Sequence, residues 1–190
     1  PDRHAAAELS PREKQAIGQA AAQALQPRQS VIFDSGSTVL EAARAAVQRG
    51  IPLTAVTNDL AIAQLLGASP LVQVHVLGGV LRAGSPTLTG DALTEAAARL
   101  HADVLLCGAH SVADGVLTET SAEVAAAKRA LIHAASVRRL LVDSSKFRPR
   151  TFMQVAPVTD FHELITDDGA TADDLERLRA AGLRVTVVRA

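Results

Sequence analysis

Hydrophobic positions along the chain fall into two alternating kinds of segment. Short runs rich in Val, Ile and Leu recur near 30–34, 53–56, 72–77, 103–107, 138–142, 162–165 and 184–188. Between them lie alanine-rich stretches with helical spacing of the larger apolar residues, near 37–49, 59–67, 91–100, 121–135 and 172–181. The short runs are near-continuously apolar rather than alternating, the pattern of strands covered on both faces by helices. Strand–helix alternation with short loops predicts an α/β fold, a doubly wound and mostly parallel sheet flanked by helices. Ahead of the first strand, Ser10-Pro11-Arg12-Glu13 reads as a helix start. Ser10 is the expected N-cap, Pro11 the first helical residue and Glu13 the partner in a capping box, with the helix running to about Leu25. Residues 1–10 read as a tail or linker and 11–190 as one domain.

Ligands of open parallel sheets bind beyond the carboxyl ends of the strands. Polar and glycine-bearing segments fall at those ends repeatedly: Asp34-Ser35-Gly36-Ser37-Thr38, Thr57-Asn58-Asp59, Gly78-Gly79 with Arg82 nearby, Gly108-Ala109-His110-Ser111 and Asp143-Ser144-Ser145-Lys146. The first is the most informative. A strand ending in Asp34, followed by Ser-Gly-Ser-Thr and a helix, presents backbone N–H groups at a helix N-terminus, where the dipole also favours an anion. Hydroxyls of Ser35, Ser37 and Thr38 add donors, and Gly36 lets the backbone approach a ligand. An ordinary N-cap with a glycine turn would look the same. The segment is neither a P-loop nor a dinucleotide fingerprint.

Two residues of the 121–135 helix need separate treatment. Thr120-Ser121-Ala122-Glu123 has the form of a capping box, so Glu123 has a structural role open to it besides a place in the site. Lys128 shares a helical stripe with Val124, Leu131 and Ala135, and so lies on the apolar face. It either snorkels to the edge or reaches an anionic ligand at the rim. Asp143 and Lys146 follow an apolar strand, as a surface salt bridge or as a charged pair closing the site. His75 and His133 read as structural; His110 lies on the rim.

Composition narrows the class. Hydrophobic residues make up 48% and charged residues 21% of 190 residues, the balance of an ordinary globular domain. There is no Trp or Tyr and only 4 Phe, so the core must pack small side chains. Net charge is −1 with no strong Lys/Arg cluster, which makes the segment a poor candidate for the main contact with nucleic acid. The one cysteine, Cys107, excludes an internal disulfide and a multi-cysteine metal site; within Val104-Leu105-Leu106-Cys107 it reads as a small buried hydrophobe. The 6 histidines show no metal-ligand spacing, and no metal or cofactor is expected. No stretch approaches the roughly 18 apolar residues of a membrane span and no signal peptide is visible, so the cytoplasm is the expected compartment. The start at Pro1, without Met, suits a fragment or a processed product.

Taken in order, these segments resemble the C-terminal domain of the DeoR family of bacterial repressors, from about Lys14 to Asp167. The landmarks are D-S-G-S-T (34–38), V-T-N (56–58), L-G-G-x-x-R (77–82), L-T-G (88–90), G-A (108–109), Gly115, T-E (118–119), E-x-x-x-x-K (123–128), D-x-S-K-F (143–147) and I-T-D (165–167). The ordered set is specific where no single piece is. The resemblance implies a winged helix-turn-helix before this domain, through which operator DNA is bound. It also implies a fold similar to ribose-5-phosphate isomerases and CoA transferases, and a phosphorylated sugar or related metabolite as effector. By that analogy the 34–38 loop and Lys128 belong to the phosphate and sugar site. A homo-oligomer, dimer or tetramer, is expected because operators are commonly read by symmetric assemblies.

One departure stands out. The family commonly has G-A-D-G in the fourth loop, where this chain has Gly108-Ala109-His110-Ser111. The isomerases need an acidic residue there, so a sensor is expected rather than an enzyme, although a histidine can act as acid or base near neutral pH. An isomerase of the ribose-5-phosphate type is the alternative, and a purely structural assembly domain a third. The candidate ligand-binding residues are Asp34, Ser35, Gly36, Ser37, Thr38, Thr57, Asn58, Gly78, Gly79, Arg82, Gly108, His110, Glu123, Lys128 and Lys146, with no catalytic residue.

Overall fold

The computed structural model describes residues 3–190. In chain order the elements are α1 (Arg3–Glu8), α2 (Pro11–Gln23), β1 (Ser30–Phe33), α3 (Ser37–Arg49), β2 (Leu53–Thr57), α4 (Leu60–Gly67), β3 (Val72–Val76), β4 (Val80–Leu81), β5 (Leu88–Thr89), α5 (Asp91–Ala97), β6 (Ala102–Cys107), β7 (Ser111–Ala113), β8 (Val116–Glu119), α6 (Ala122–His133), β9 (Ala135–Leu141), β10 (Met153–Pro157), β11 (Glu163–Asp167), α7 (Ala172–Ala180) and β12 (Arg184–Val188).

Seven strands form a wholly parallel sheet in the order β12-β11-β9-β6-β1-β2-β3. The chain winds outward from β1 through β2 to β3, returns to β6 on the other side of β1, and winds outward again to β12. The reversal between β1 and β6 opens a crevice at their carboxyl ends, the place where doubly wound sheets bind ligands. Successive strand residues enter opposite layers, because strand side chains alternate between faces. Val31, Phe33 and Ile165 pack with α2, α3 and α4; Ile32 and Leu164 pack with α5 and α6. Gly18 of α2 sets the spacing of its layer: a Cβ there would lie 2.6 Å from the Ala42 amide nitrogen of α3. The small-side-chain core expected from composition is therefore a close helix–helix contact.

The seven expected main strands and all six expected helices are present, with shifted ends. Ala135 opens β9 instead of closing α6. The segment 1–10, expected as a tail, contains α1, and only residues 1 and 2 lie outside the described part. Ser10 holds the N-cap position and Pro11 starts the helix, but Ser10 has a φ of 53° and its side chain makes no capping bond. Edge strand β3 is covered on one face only, with Gln73, His75 and Val76 exposed. The small antiparallel pieces β4–β5 and β7–β8–β10 were not expected. Their runs are too short, and too interrupted by Gly, Asp and Pro, to give a periodic signal. No helix among the described residues is long and apolar enough to cross a membrane.

Candidate functional site

The crevice at the switch point is a cleft of ≈ 320 Å³, near the lower end of small-molecule sites. Its floor is a buried charged cluster. Asp34 closes β1 at 1% exposure and Lys128 lies across from it on α6 at 3%. The Lys128 ammonium donates to Asp34 Oδ2, and to the Gly108 carbonyl at 3.0 Å; Glu119 Oε1 stands 3.6 Å away. Asp34 Oδ2 also accepts the Gly108 amide at 3.1 Å and the Cys107 thiol at 3.5 Å. Burial alone works to lower the Lys128 pKa, but the carboxylates Asp34 and Glu119 outweigh it and the net direction is up. Burial first, and then Asp34, push the Cys107 thiol up, so it remains a protonated hydrophobe as expected. Lys128 neither snorkels nor stands free: its ammonium is directed to acceptors within the protein, tying the ends of β1 and β6 to α6.

The wall above Asp34 is the start of α3. Ser35, Gly36, Ser37 and Thr38 line the cleft, as expected. Leu40 N makes the first helical bond, to Gly36 O at 2.9 Å, so the amides of the first turn precede the helix's own ladder. Ser35 is already committed, donating to Asp59 Oδ2 at 2.8 Å and bonding Thr87. Asn58 also lines the cleft; its Nδ2 donates to Leu88 O at 3.0 Å, while its Oδ1 is buried without a partner.

The opposite wall is basic. Lys146 and Arg148 line it with His110, and Arg82 enters from the β4–β5 side. Arg148 Nε donates to the His110 carbonyl at 3.0 Å, and its Nη2 lies 3.1 Å from the ring Nε2. Burial, then Arg148, then Lys146 lower the His110 pKa to about 4. The ring is therefore neutral near pH 7, which corrects the expectation that it could exchange protons there. Burial also lowers the Lys146 pKa. Ser111, the second residue of the departure, faces away from the cleft and donates to the carbonyls of Arg148 (2.6 Å) and Pro149 (2.9 Å). It fixes the loop that carries Arg148.

Four expected residues do not line the cleft. Thr57 is fully buried and bonds Phe33 O at 2.7 Å, joining β1 to β2. Gly78 and Gly79 belong to the β3–β4 turn, where a Cβ on Gly79 would sit 2.3 Å from the Thr89 carbonyl oxygen. That glycine makes room for a backbone crossing. Glu123 is exposed and accepts from Ser121 Oγ at 2.8 Å. Ser121, not Thr120, caps α6, through the Val124 amide. Asp143 and Lys146 form no direct pair: Asp143 Oδ1 accepts the Ser145 amide at 3.0 Å, and its Oδ2 is buried without a partner. Conversely, Glu119, Thr87 and Arg148 line the cleft without having been proposed from sequence, and so do Ala5, Ala6 and Leu9 of the α1 region. The T-E landmark at 118–119 was the available sign for Glu119.

Solved structures with a similar fold include ribose 5-phosphate isomerase A from Neisseria gonorrhoeae (TM-score 0.53, 16% identity, covering 72% of this chain and 53% of that one). A second is the Pyrococcus horikoshii translation initiation factor eIF-2B (TM-score 0.56, 16% identity, covering 80% and 61%). At such identity the likeness is of fold. Among curated relatives, a putative aga operon transcriptional repressor of Escherichia coli O157:H7 is 32% identical over 92% of this chain. The HTH-type transcriptional regulator GlpR of Haloferax volcanii is 31% identical over 90%. The chain spans 65% and 67% of the length of these two proteins. Residues 10–168 match the family described as DeoR C terminal sensor domain. With the ordered motifs and the switch-point cleft in place, the chain belongs to the DeoR C-terminal sensor domain family.

Proposed function

We propose that this chain is the effector-binding domain of a DNA-binding transcriptional regulator, and that its effector is a phosphorylated sugar or related metabolite. The observation that carries the reading is the pairing, in one cleft, of the first turn of α3 with the basic side chains Arg82, Lys146 and Arg148. Helix N-termini and guanidinium or ammonium groups are two common ways proteins hold phosphate. Acceptors for sugar hydroxyls stand alongside in Glu119 and Asn58. The Escherichia coli and Haloferax volcanii relatives are named as transcriptional regulators, which favours regulation of genes over catalysis. The isomerase alternative loses support on the same ground, and because the fourth loop offers a neutral His110 in place of a carboxylate.

Operator DNA is contacted, in this proposal, through an N-terminal domain outside the present chain, in a homo-oligomeric cytoplasmic protein acting on carbohydrate metabolism genes. A thermal-shift screen with sugar phosphates tests the ligand class. A ligand at about 100 times its Kd raises Tm by about 5–10 °C for a domain of this size. The proposal fails if no sugar phosphate raises Tm while a nucleotide or a CoA ester does.

A further inference from the structure

The cleft has two cationic ends, and they are not equivalent. One is the start of α3 at the carboxyl end of β1, flanked by Arg82. The other is Lys146 with Arg148, in the loop that follows β9. Strand β6 lies between β1 and β9, so the two ends are two strand spacings apart, about 10 Å. The buried floor between them has no positive charge to spare: Lys128 is paired with Asp34 and also lies near Glu119.

The β9 end has carboxylates nearby, Asp143 and Glu119, but none paired with its cations. Among the described residues, neither Lys146 nor Arg148 makes an ion pair, and the Lys146 ammonium has no hydrogen-bond acceptor. Burial disfavours its charge, Asp143 and Glu119 partly offset this from a distance, Arg148 and Lys128 add to it, and the net direction is down. Asp143, the nearest carboxylate in sequence, directs Oδ1 to Ser145. The side chain facing this pair from β6 is His110, neutral and already accepting from Arg148. In the fourth loop, where G-A-D-G would supply an aspartate, this chain supplies no negative charge. A partly buried cation without a directly paired counter-charge gains when a ligand supplies one.

We infer that the effector carries a second acidic group, a carboxylate or a second phosphate, held by Lys146 and Arg148 at the end of the cleft opposite the α3 N-terminus. The effector class is thus a short polyol chain acidic at both ends, either a phosphorylated sugar acid or a sugar bisphosphate. This rests on the phosphosugar reading and narrows it. Arg148 offers a fork suited to a planar or tetrahedral oxyanion, and Lys146 adds a point charge beside it. Ser111, by holding the Arg148 and Pro149 carbonyls, sets the loop so that both cations face inward.

Isothermal titration of the chain with matched probes tests this. Glucose 6-phosphate is compared with 6-phosphogluconate, and fructose 6-phosphate with fructose 1,6-bisphosphate. At least one doubly acidic probe binds roughly 10- to 100-fold more tightly than its monophosphate partner. Which pair shows the gain tells carboxylate from phosphate. In Lys146→Met the ratio falls towards one. His110→Asp places a carboxylate beside both cations and does the same without removing either, so the test survives if Lys146→Met folds poorly. Monophosphates binding as tightly as their doubly acidic partners, or a ratio unchanged in both variants, overturns the inference and leaves the phosphosugar reading standing. No binding by any of the four probes overturns both.

Discussion

The floor of the cleft and its β9 rim both hold positive charge, but they hold it in opposite ways. On the floor, Lys128 is buried and surrounded by acceptors that belong to the protein: Asp34, the Gly108 carbonyl and Glu119. At the rim, Lys146 and Arg148 are more accessible and meet a neutral imidazole instead of a carboxylate. The floor charge is satisfied before any ligand arrives, so its work is structural: it joins the two strands at the switch point to the helix that crosses them. The rim cations have carboxylates in the neighbourhood, Asp143 and Glu119, but pair with neither, so a direct partner is left to a ligand.

The sharpest way to break this contrast is to remove one lysine from each region. Lys128→Met leaves the Asp34 carboxylate buried without its counter-ion and lowers unfolding free energy by roughly 3–5 kcal/mol, measured by urea denaturation. Adding Asp34→Asn restores much of the loss, because the orphaned charge goes with it. Lys146→Met stays within about 0.5 kcal/mol of the parent. Equal losses from the two single substitutions would show that the rim is as self-contained as the floor.

A smaller effect is expected at the joint between loop and sheet. Ser111→Ala removes the donor from two carbonyls, at 2.6 and 2.9 Å, and lowers stability by about 1–2 kcal/mol in the same assay. It also weakens binding of any ligand held by Arg148. Stability lost with ligand affinity unchanged would detach Ser111 from the rim.

The smallest effect is a pH dependence. His110 has its pKa lowered from 6.5 to about 4, so the folded state prefers the neutral ring. The unfolded chain binds more protons between those values. The contribution is therefore full above pH 6.5 and is lost as pH falls towards about 4. His110→Asn removes it: the gap in Tm between parent and variant shifts against the parent on acidification through that window, read by circular dichroism melts. The shift is small because the ring is only partly buried and solvent screens it on one side. A gap that does not change with pH would mean that His110 ionises as freely as in an open chain.

The sheet was legible in the sequence because a parallel sheet buried on both faces writes long apolar runs, and the rim was legible because the fold rule says where polar loops must gather. Asp34 and Asn58 were found in that way, and Lys128 by its place on an apolar helical stripe. The errors share a cause, namely that one residue type serves several ends. Gly78-Gly79 looked like an anion loop, but the missing Cβ of Gly79 accommodates the Thr89 carbonyl, and a sequence does not say which neighbour needs the space. Glu123 looked like either a cap or a ligand and is a solvated partner of Ser121. Arg148 went unlisted because a basic residue in a loop looks like any solvated charge until the fold shows what faces it. Helix α1 lacks cap signals and a long periodic face, so nothing separated it from a tail.

The tight seat of α2 on α3 at Gly18 bears on how a domain of this kind can diversify. Backbone to backbone, that contact leaves no room for even a methyl group, so the platform beneath the cleft tolerates little rewriting. The rim residues Arg82, His110, Lys146 and Arg148 project from connections between strands and take no part in that contact. Lineages can therefore exchange the metabolite they answer to by editing a few loop positions, while the rigid layer below is inherited unchanged.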